Sequence, residues 1–311
     1  METMETIRYF LGTDSDILFC PLPKILGLEV AVVNAFSPGD TVVIPVFGET
    51  GECWASIAEA FGLSVIRLGG YGGEAPSPED LRLLFWTRER GIQGVLVPHV
   101  EGTTGLWVDL AGFGEVCRSF GVLCVAEVGE SFGIFPFELD RTGVDFVVVA
   151  EPLLFQGGTF LVIGERAWEA RGRARCPRYA LDFSRIQEWS TGEVPRSFVE
   201  RLEVLRAIGK EALWERRKHL AELFRKKVQA LGFQIPQEEL FPSVSIVELY
   251  GATKSEEVLS LLREQGIRAG RAFRKEKALW VRHGDTLEEF EIESILEVFQ
   301  KSLREAGVNG S

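Results

Sequence analysis

The chain has 311 residues, 46% of them hydrophobic, enough for one large core or two unequal ones. A net charge of −12 at pH 7, with no concentrated basic patch to offset it, argues against a nucleic-acid partner. No run approaches the roughly 20 apolar residues that cross a bilayer, and the N-terminus lacks a basic-then-apolar leader, so a cytoplasmic, non-membrane protein is expected.

Residues 1–6, Met-Glu-Thr-Met-Glu-Thr, carry no structural signal of their own. From Ile25 to Ile163 the pattern alternates between helix and strand. An apolar helix is expected over Ile25 to Phe36, stopped by Pro38-Gly39-Asp40, and a Val/Ile-rich strand over Thr41 to Phe47. An amphipathic helix follows from Gly51 to Phe61, then a strand from Ser64 to Leu68. Pro76 to Asp80 opens a helix reaching about Arg90, with acids in its first turn. Strands are expected over Gly94 to Pro98, Val122 to Val128 and Asp145 to Val149, with a helix over Leu110 to Phe120 between the first two. Because these strands are continuous apolar runs, helices should cover both faces of a mostly parallel α/β sheet. Ligands on such sheets bind beyond the carboxyl ends of the strands.

Past Glu165 the pattern changes. Residues 170–197 read as irregular and arginine-rich, and Phe198 to Leu231 as one long amphipathic helix or two in succession. A strand (Ser243 to Leu249), a helix (Ser255 to Gln265), a strand near Ala278 to Arg282 and a last helix (Leu287 to Ala306) complete a small α+β domain. The expected division is 1–165 for the large α/β domain and 166–311 for the connecting helix and small domain.

The five cysteines, Cys20, Cys53, Cys117, Cys124 and Cys176, are odd in number and contain no C-x-x-C, which suggests reduced thiols. The histidines His99, His219 and His283 lack zinc-ligand spacing, so no metal is expected. The basic run Arg216-Arg217-Lys218 with Arg225-Lys226-Lys227 sits at helical spacing among Leu220, Leu223 and Phe224, as on the solvated face of a helix.

Two short motifs suggest other chemistries. Gly129-Glu130-Ser131-Phe132-Gly133 matches the G-x-S-x-G of a nucleophile elbow after a strand, and the order Ser131, Asp182, His283 would suit a triad. The elbow needs a helix directly behind its serine, whereas Pro136 arrives five residues later. Gly70 to Ala75 loosely fits a dinucleotide loop, but Pro76 and Pro78 separate it from the next helix. No G-K-[ST] occurs, which excludes a P-loop.

A series of segments in fixed order carries more weight. Leu28-Glu29-Val30-Ala31-Val32-Val33-Asn34 with Ser37-Pro38-Gly39-Asp40 resembles the "LEAAxxN…PGD" helix and turn of class V aminotransferases, the serine–pyruvate and alanine–glyoxylate type. Phe47-Gly48-Glu49-Thr50-Gly51 with Trp54 is similar to their next active-site loop, and His99-Val100-Glu101-Gly102-Thr103-Thr104-Gly105 to their "HxETSTG". Cys124 to Ser131 falls where the family has "VVDAVSS", and Gly143 to Val149 resembles its "GVDVVVTGSQK" strand. Arg282-His283-Gly284 is similar to the "R-x-G" of the small domain. The resemblance runs from about residue 7 to residue 306. It implies a pyridoxal-phosphate transferase of fold type I, with Thr50, Thr103, Thr104 and Glu127 toward the cofactor and Arg282 and His99 toward substrate. It also implies a homodimer, or a heterodimer with an active aminotransferase subunit.

The departures bear on function. The lysine that forms the aldimine in this family falls, by count from Asp145, on Leu153, and no lysine occurs between Lys24 and Lys210. The Schiff base and the shuttling of the α-proton both need that amine. The phosphate turn reads Pro21-Leu22-Pro23-Lys24-Ile25, and proline removes amide donors. Thr50 stands for the stacking aromatic, Glu127 for the aspartate that pairs with the ring nitrogen, and the arm ahead of the turn is shorter than in the family. The sequence therefore leads to an aminotransferase-like protein that is not catalytic by itself, a dimer partner or small-molecule binder. No covalent cofactor is expected, and pyridoxal phosphate is doubtful. The alternatives are a transaminase holding the cofactor non-covalently and a serine hydrolase using Ser131. His99 reads as a strand-end histidine bonded to backbone, with a base as its other reading. Glu101 and Glu127, at neighbouring strand ends, are either a proton-sharing pair or partners of arginines.

Overall fold

The structure, a computed structural model, describes residues 2–69, 74–87, 91–150, 158–189, 194–236, 240–249, 255–264 and 266–283, with isolated positions from 292 to 305. Leu153, the Gly70–Gly73 part of the loose dinucleotide motif, Gly284 and most of the expected last helix lie outside the described residues. The chain divides into two compact units: residues 1–100 with 108–213, and residues 101–107 with 214–311. The sequence reading put the boundary at 165.

The first unit is built on a seven-stranded sheet. Its strands are β1 (Asp16–Cys20), β2 (Thr41–Pro45), β3 (Ser64–Leu68), β4 (Ile92–Pro98), β5 (Leu123–Glu127), β6 (Phe146–Val149) and β7 (Thr159–Ile163), in the order β1-β7-β6-β5-β4-β2-β3. From β3 through β6 neighbouring strands are parallel; β7 runs antiparallel to both β6 and β1. The central strands alternate between two buried faces. Val42, Ile44, Leu96, Val125, Val148 and Leu161 join one core, and Val43, Val95, Val97, Ala126 and Val147, in the opposite phase, are equally inaccessible. Each such side chain contributes roughly 1.5–3 kcal/mol of burial, which is why these strands read as unbroken apolar runs.

Helix α1 (Glu2–Leu11) precedes the sheet. Helices α2 (Lys24–Ala35), α3 (Glu49–Ala60), α4 (Pro78–Thr87), α5 (Leu110–Phe120) and the short α6 (Leu139–Thr142) connect its strands. Helix α2 packs over β5, β6 and β7 and against α3 and α7 (Glu165–Arg173). It is apolar nearly all round, with Leu28 and Val30 to Val33 buried, as a helix enclosed on several sides must be. Its one interior polar group, Asn34, is saturated. The amide nitrogen donates to the Val30 and Leu181 carbonyls at 2.8 and 2.7 Å, and the Phe183 N–H donates to Oδ1 at 3.1 Å. Helix α5 starts with Asp109 accepting from the Gly112 N–H and ends at Gly121 in the left-handed conformation (φ 70°).

One expectation needs correction and two are made specific. Residues 2–6 are helical, and Thr6 is buried where Arg206 of α9 (Arg196–Ile208) donates to its hydroxyl at 3.0 Å. Residues 170–197 are not wholly irregular: α7 runs to Arg173 and α8 covers Phe183–Trp189. The arginines that made the stretch look disordered are internal braces. Arg171 and Arg178 both pair with Asp182, at 2.7 and 2.8 Å, and Arg178 also donates to the Val33 and Arg171 carbonyls. Phe198 to Leu231 takes the second of the two forms expected for it, two helices in succession, α9 and α10 (Lys210–Ala230), separated at Gly209 with φ 88°.

The second unit holds a three-stranded antiparallel sheet in the order β8 (Val244–Glu248), β10 (Lys275–Arg282), β9 (Ala269–Ala272). Leu220, Phe224 and Val228 of α10, with Val258, Leu259 and Leu262 of α11 (Ser255–Glu264), close one core against Val247, Leu279 and Val281. Residues 101–107 belong here because their loop is tied to this sheet: Phe241 N–H donates to the Gly105 carbonyl at 2.7 Å and Phe273 N–H to the Thr103 carbonyl at 3.1 Å.

Candidate functional site

In a parallel sheet the carboxyl ends of the strands and the amino ends of the following helices face the same side. Three side chains of the first unit meet there. Glu127 is the last residue of β5, Lys24 the first of α2, and Thr50 lies in the first turn of α3. Lys24 Nζ stands 3.2 Å from Glu127 Oε2 and donates to Thr50 Oγ1, also at 3.2 Å.

Glu127 is fully buried. Its other oxygen, Oε1, accepts from the Gly129 N–H at 2.9 Å, so the turn after β5 and the start of α2 hold the carboxylate from two sides. Burial pushes the Glu127 pKa up and the neighbouring Glu130 adds to this, while Lys24 and the Gly129 amide pull it down; the net direction is upward. The acid bearing on Glu127 is thus Glu130. Position 129 requires glycine for space: a Cβ there would stand 2.6 Å from Glu127 Oε1 and would run into the Ala150 carbonyl oxygen. Lys24 keeps 29% of its side chain exposed, so solvent reaches one member of the pair.

Pyridoxal phosphate, which the family resemblance implies, does not fit these residues. The acid that would meet the ring nitrogen has one oxygen on a backbone amide, and the other, buried and without a hydrogen bond, faces Lys24 in an ion pair. Helix α2 begins at the phosphate turn with Pro23 as its cap, without a side-chain hydrogen bond and without an N–H on Pro21 or Pro23. No lysine other than Lys24 precedes Lys210. Lys210 itself sits in the first unit, where Nζ donates to the Phe137 carbonyl at 2.8 Å and to Glu138 Oε1 at 2.5 Å.

The remaining candidates are dispersed. His99 follows β4 and is completely buried, with the rings of Phe135 and Phe137 edge-on at 5.0 and 5.3 Å. Its Nδ1 lies 2.7 Å from Ser131 Oγ, a side-chain partner rather than the backbone one expected. The Ser131 hydroxyl also lies 3.1 Å from the Val128 carbonyl, a second acceptor for its proton. Desolvation drives the His99 pKa down to about 3, and the ring is neutral at physiological pH. This arrangement contradicts a hydrolase. Ser131 is fully buried and is followed by turn rather than the helix a nucleophile elbow needs. Asp182 is committed to Arg171 and Arg178, and His283 lies in the second unit.

In that unit His283 Nδ1 donates to the Pro242 carbonyl at 3.1 Å. Burial, with Arg225 nearby, lowers its pKa to about 3. Arg282 ends β10, half-buried, its guanidinium 5.8 Å from the Trp280 ring centroid. Thr103 and Thr104 form a turn in which Glu101 accepts from the Thr104 and Gly105 amides at 3.2 and 2.8 Å. Thr104 Oγ1 accepts from the Leu106 N–H at 3.3 Å. Among the described residues no group of histidine, cysteine and acidic side chains could hold a metal ion, and no helix is long and apolar enough to cross a membrane.

Comparison with known proteins agrees with the first unit's geometry. Residues 1–151 match the model of the family described as Aminotransferase class-V. The chain is 25% identical over 275 residues to the soluble hydrogenase, small subunit, of a Synechococcus species, covering 83% of this chain and 71% of that one. It is 24% identical over 310 residues to the (S)-ureidoglycine–glyoxylate transaminase of Bacillus subtilis, covering 88% and 74%. The crystal structure of ureidoglycine–glyoxylate aminotransferase from Bacillus subtilis superposes with a TM-score of 0.89 at 21% identity, over 100% of this chain and 85% of that one. The first 151 residues thus match the class-V aminotransferase family, and the whole chain shares the fold of the ureidoglycine–glyoxylate aminotransferase structure.

Proposed function

We propose that this aminotransferase-like protein does not transaminate by itself and uses its cleft to bind a small molecule without a covalent pyridoxal phosphate. The observation that carries this reading is the Lys24–Glu127–Thr50 cluster. The carboxylate that should serve a cofactor ring serves a lysine of the protein instead. An ammonium held by a buried carboxylate is a stable substitute for a bound cation, because removing either charge leaves the other unpaired. The absence of lysine from Ile25 to Gly209 supports the same reading.

The test is a transaminase assay at high protein concentration with pyridoxal phosphate supplied, offering alanine, serine and aspartate to glyoxylate and pyruvate. No turnover above a protein-free control is expected; sustained turnover would contradict the proposal. A partner role belongs to the same reading, with a second copy or an active aminotransferase subunit as the companion. Native mass spectrometry of the chain, alone and mixed with such a subunit, should show a two-chain species, and only monomers would count against it.

A second reading has an observation in its favour. Relatives such as that of Bacillus subtilis are named as glyoxylate transaminases, and a cofactor held non-covalently would make this chain one of them. It predicts turnover in the same assay.

A further inference from the structure

We propose that Lys24 is a carbonyl-reactive amine, and that the Lys24–Glu127 pair captures a small aldehyde or ketone as a Schiff base. The inference rests on the reading above, in which the cleft binds a small molecule, and names that molecule's chemical class.

Three features combine at Lys24. Lys24 is the first residue of a 12-residue helix, where the positive end of the helix dipole disfavours an ammonium. Its Nζ lies 3.2 Å from a carboxylate that is fully buried, so a proton acceptor is already in place. Its side chain is still 29% exposed, so the lysine is not sealed from solvent. Surface lysines have the third feature without the first two. Lysine amines become nucleophiles when their surroundings favour the neutral form, and burial, which pushes Glu127 up, makes its carboxylate a readier acceptor of the Lys24 proton than an exposed one.

The step balances without any other reactant. The Lys24 ammonium passes a proton to Glu127 Oε2, and the freed lone pair attacks the carbonyl carbon, forming a C–N bond. The carbonyl oxygen takes a proton from the attacking nitrogen and becomes a hydroxyl. Glu127 returns its proton to that hydroxyl, the C–O bond breaks and water leaves. The product is a protonated imine on Lys24, with the Glu127 carboxylate as counter-ion. One ammonium and one carbonyl have become one iminium and one water. Thr50 Oγ1, 3.2 Å from Nζ, fixes the direction from which the lone pair emerges.

The experiment treats the whole wild-type chain at neutral pH with propanal, and separately with glyoxylate, in the presence of cyanoborohydride, and maps reduced adducts by peptide mass spectrometry over time. Lys301, with 71% of its side chain exposed, is the internal reference. The expected result is labelling of Lys24 roughly tenfold or more faster than Lys301, as proton transfer to a positioned group allows. Glu127→Gln, checked as folded by its thermal transition, should bring Lys24 back to the reference rate. Labelling of Lys24 no faster than Lys301 in wild type would overturn the inference and leave the proposed function standing, provided added pyridoxal phosphate still dialyses away. Undiminished labelling in Glu127→Gln would overturn it too. If borohydride instead fixes pyridoxal phosphate on Lys24, the reactive amine is upheld and the proposed function fails.

Discussion

At the scale of single residues the protein turns on one ion pair. A carboxylate taken out of water is tolerated only when its partners stay in place, and Glu127 has two, the Gly129 amide and Lys24. Lys24→Met should therefore cost about 1–3 kcal/mol in chemical denaturation, below the fully buried case because Lys24 is partly solvated. Lys24→Met with Glu127→Gln should recover part of that loss, since no charge is then left unpaired. A double variant as unstable as the sum of the singles would show that the pair is not coupled. The glutamate was legible in the sequence because it stands where the resembled family has its aspartate. Its partner was not. Lys24 was read as part of a spoiled phosphate turn, and the search for an amine looked along the chain after it, whereas the fold brings the start of α2 to the end of β5.

At the scale of elements, α2 is the segment on which the site hangs. Its apolar faces were readable as a buried helix, and the sequence reading placed its ends within one residue of those observed. The use made of Asn34 was not readable, because its partners Leu181 and Phe183 lie in the stretch taken as irregular. Asn34→Ala removes three hydrogen bonds and leaves buried backbone groups unpaired, so a loss of roughly 2–4 kcal/mol is expected from denaturant midpoints. A loss under about 0.5 kcal/mol, the level of an ordinary surface substitution, would show that residues 181–183 are not held by this side chain. Strands β1, β7 and β9 passed largely unmarked for a different reason. β1 and β9 are sheet edges and β7 pairs antiparallel with both its neighbours, so none lies in the helix-alternating parallel run that marked the other strands of the first sheet. The arginines of α7 and its neighbours misled because arginine was counted as a surface residue, while here Arg171 and Arg178 bind carboxylate and carbonyl groups inside the unit.

At the scale of the whole molecule, the α/β plan and the parallel central strands were legible because unbroken Val, Leu and Ile runs leave few other architectures. The edges of the sheet and the membership of the 101–107 loop in the second unit depend on long-range pairing that local pattern does not encode. The charge state of the interior sets the pH response. His99 and His283 titrate near 3 when folded and near 6.5 when unfolded, both held neutral by burial. The unfolded chain thus binds more protons between those values, and stability is lost as pH falls through that window. Each histidine should remove up to about 1.4 kcal/mol per pH unit below 6.5. Glu127 acts in the opposite sense: its folded pKa is raised, so its contribution is present at low pH and fades as pH rises through the folded value. Two histidines, each displaced far below its unfolded value, against the buried acids Glu127 and Asp145 should give a denaturant midpoint that falls from pH 7 to pH 5. A midpoint flat or rising over that range would mean that neither histidine is buried neutral.

The central claim is that the cofactor's place is taken by the chain's own lysine. Its most direct test is the absorbance spectrum of the purified protein with added pyridoxal phosphate, before and after borohydride reduction and dialysis. The account predicts the spectrum of free cofactor, which dialyses away and leaves no reduced adduct of it on any peptide. A protein-bound band shifted toward the visible, converted by borohydride to a stable adduct on one lysine, would contradict it.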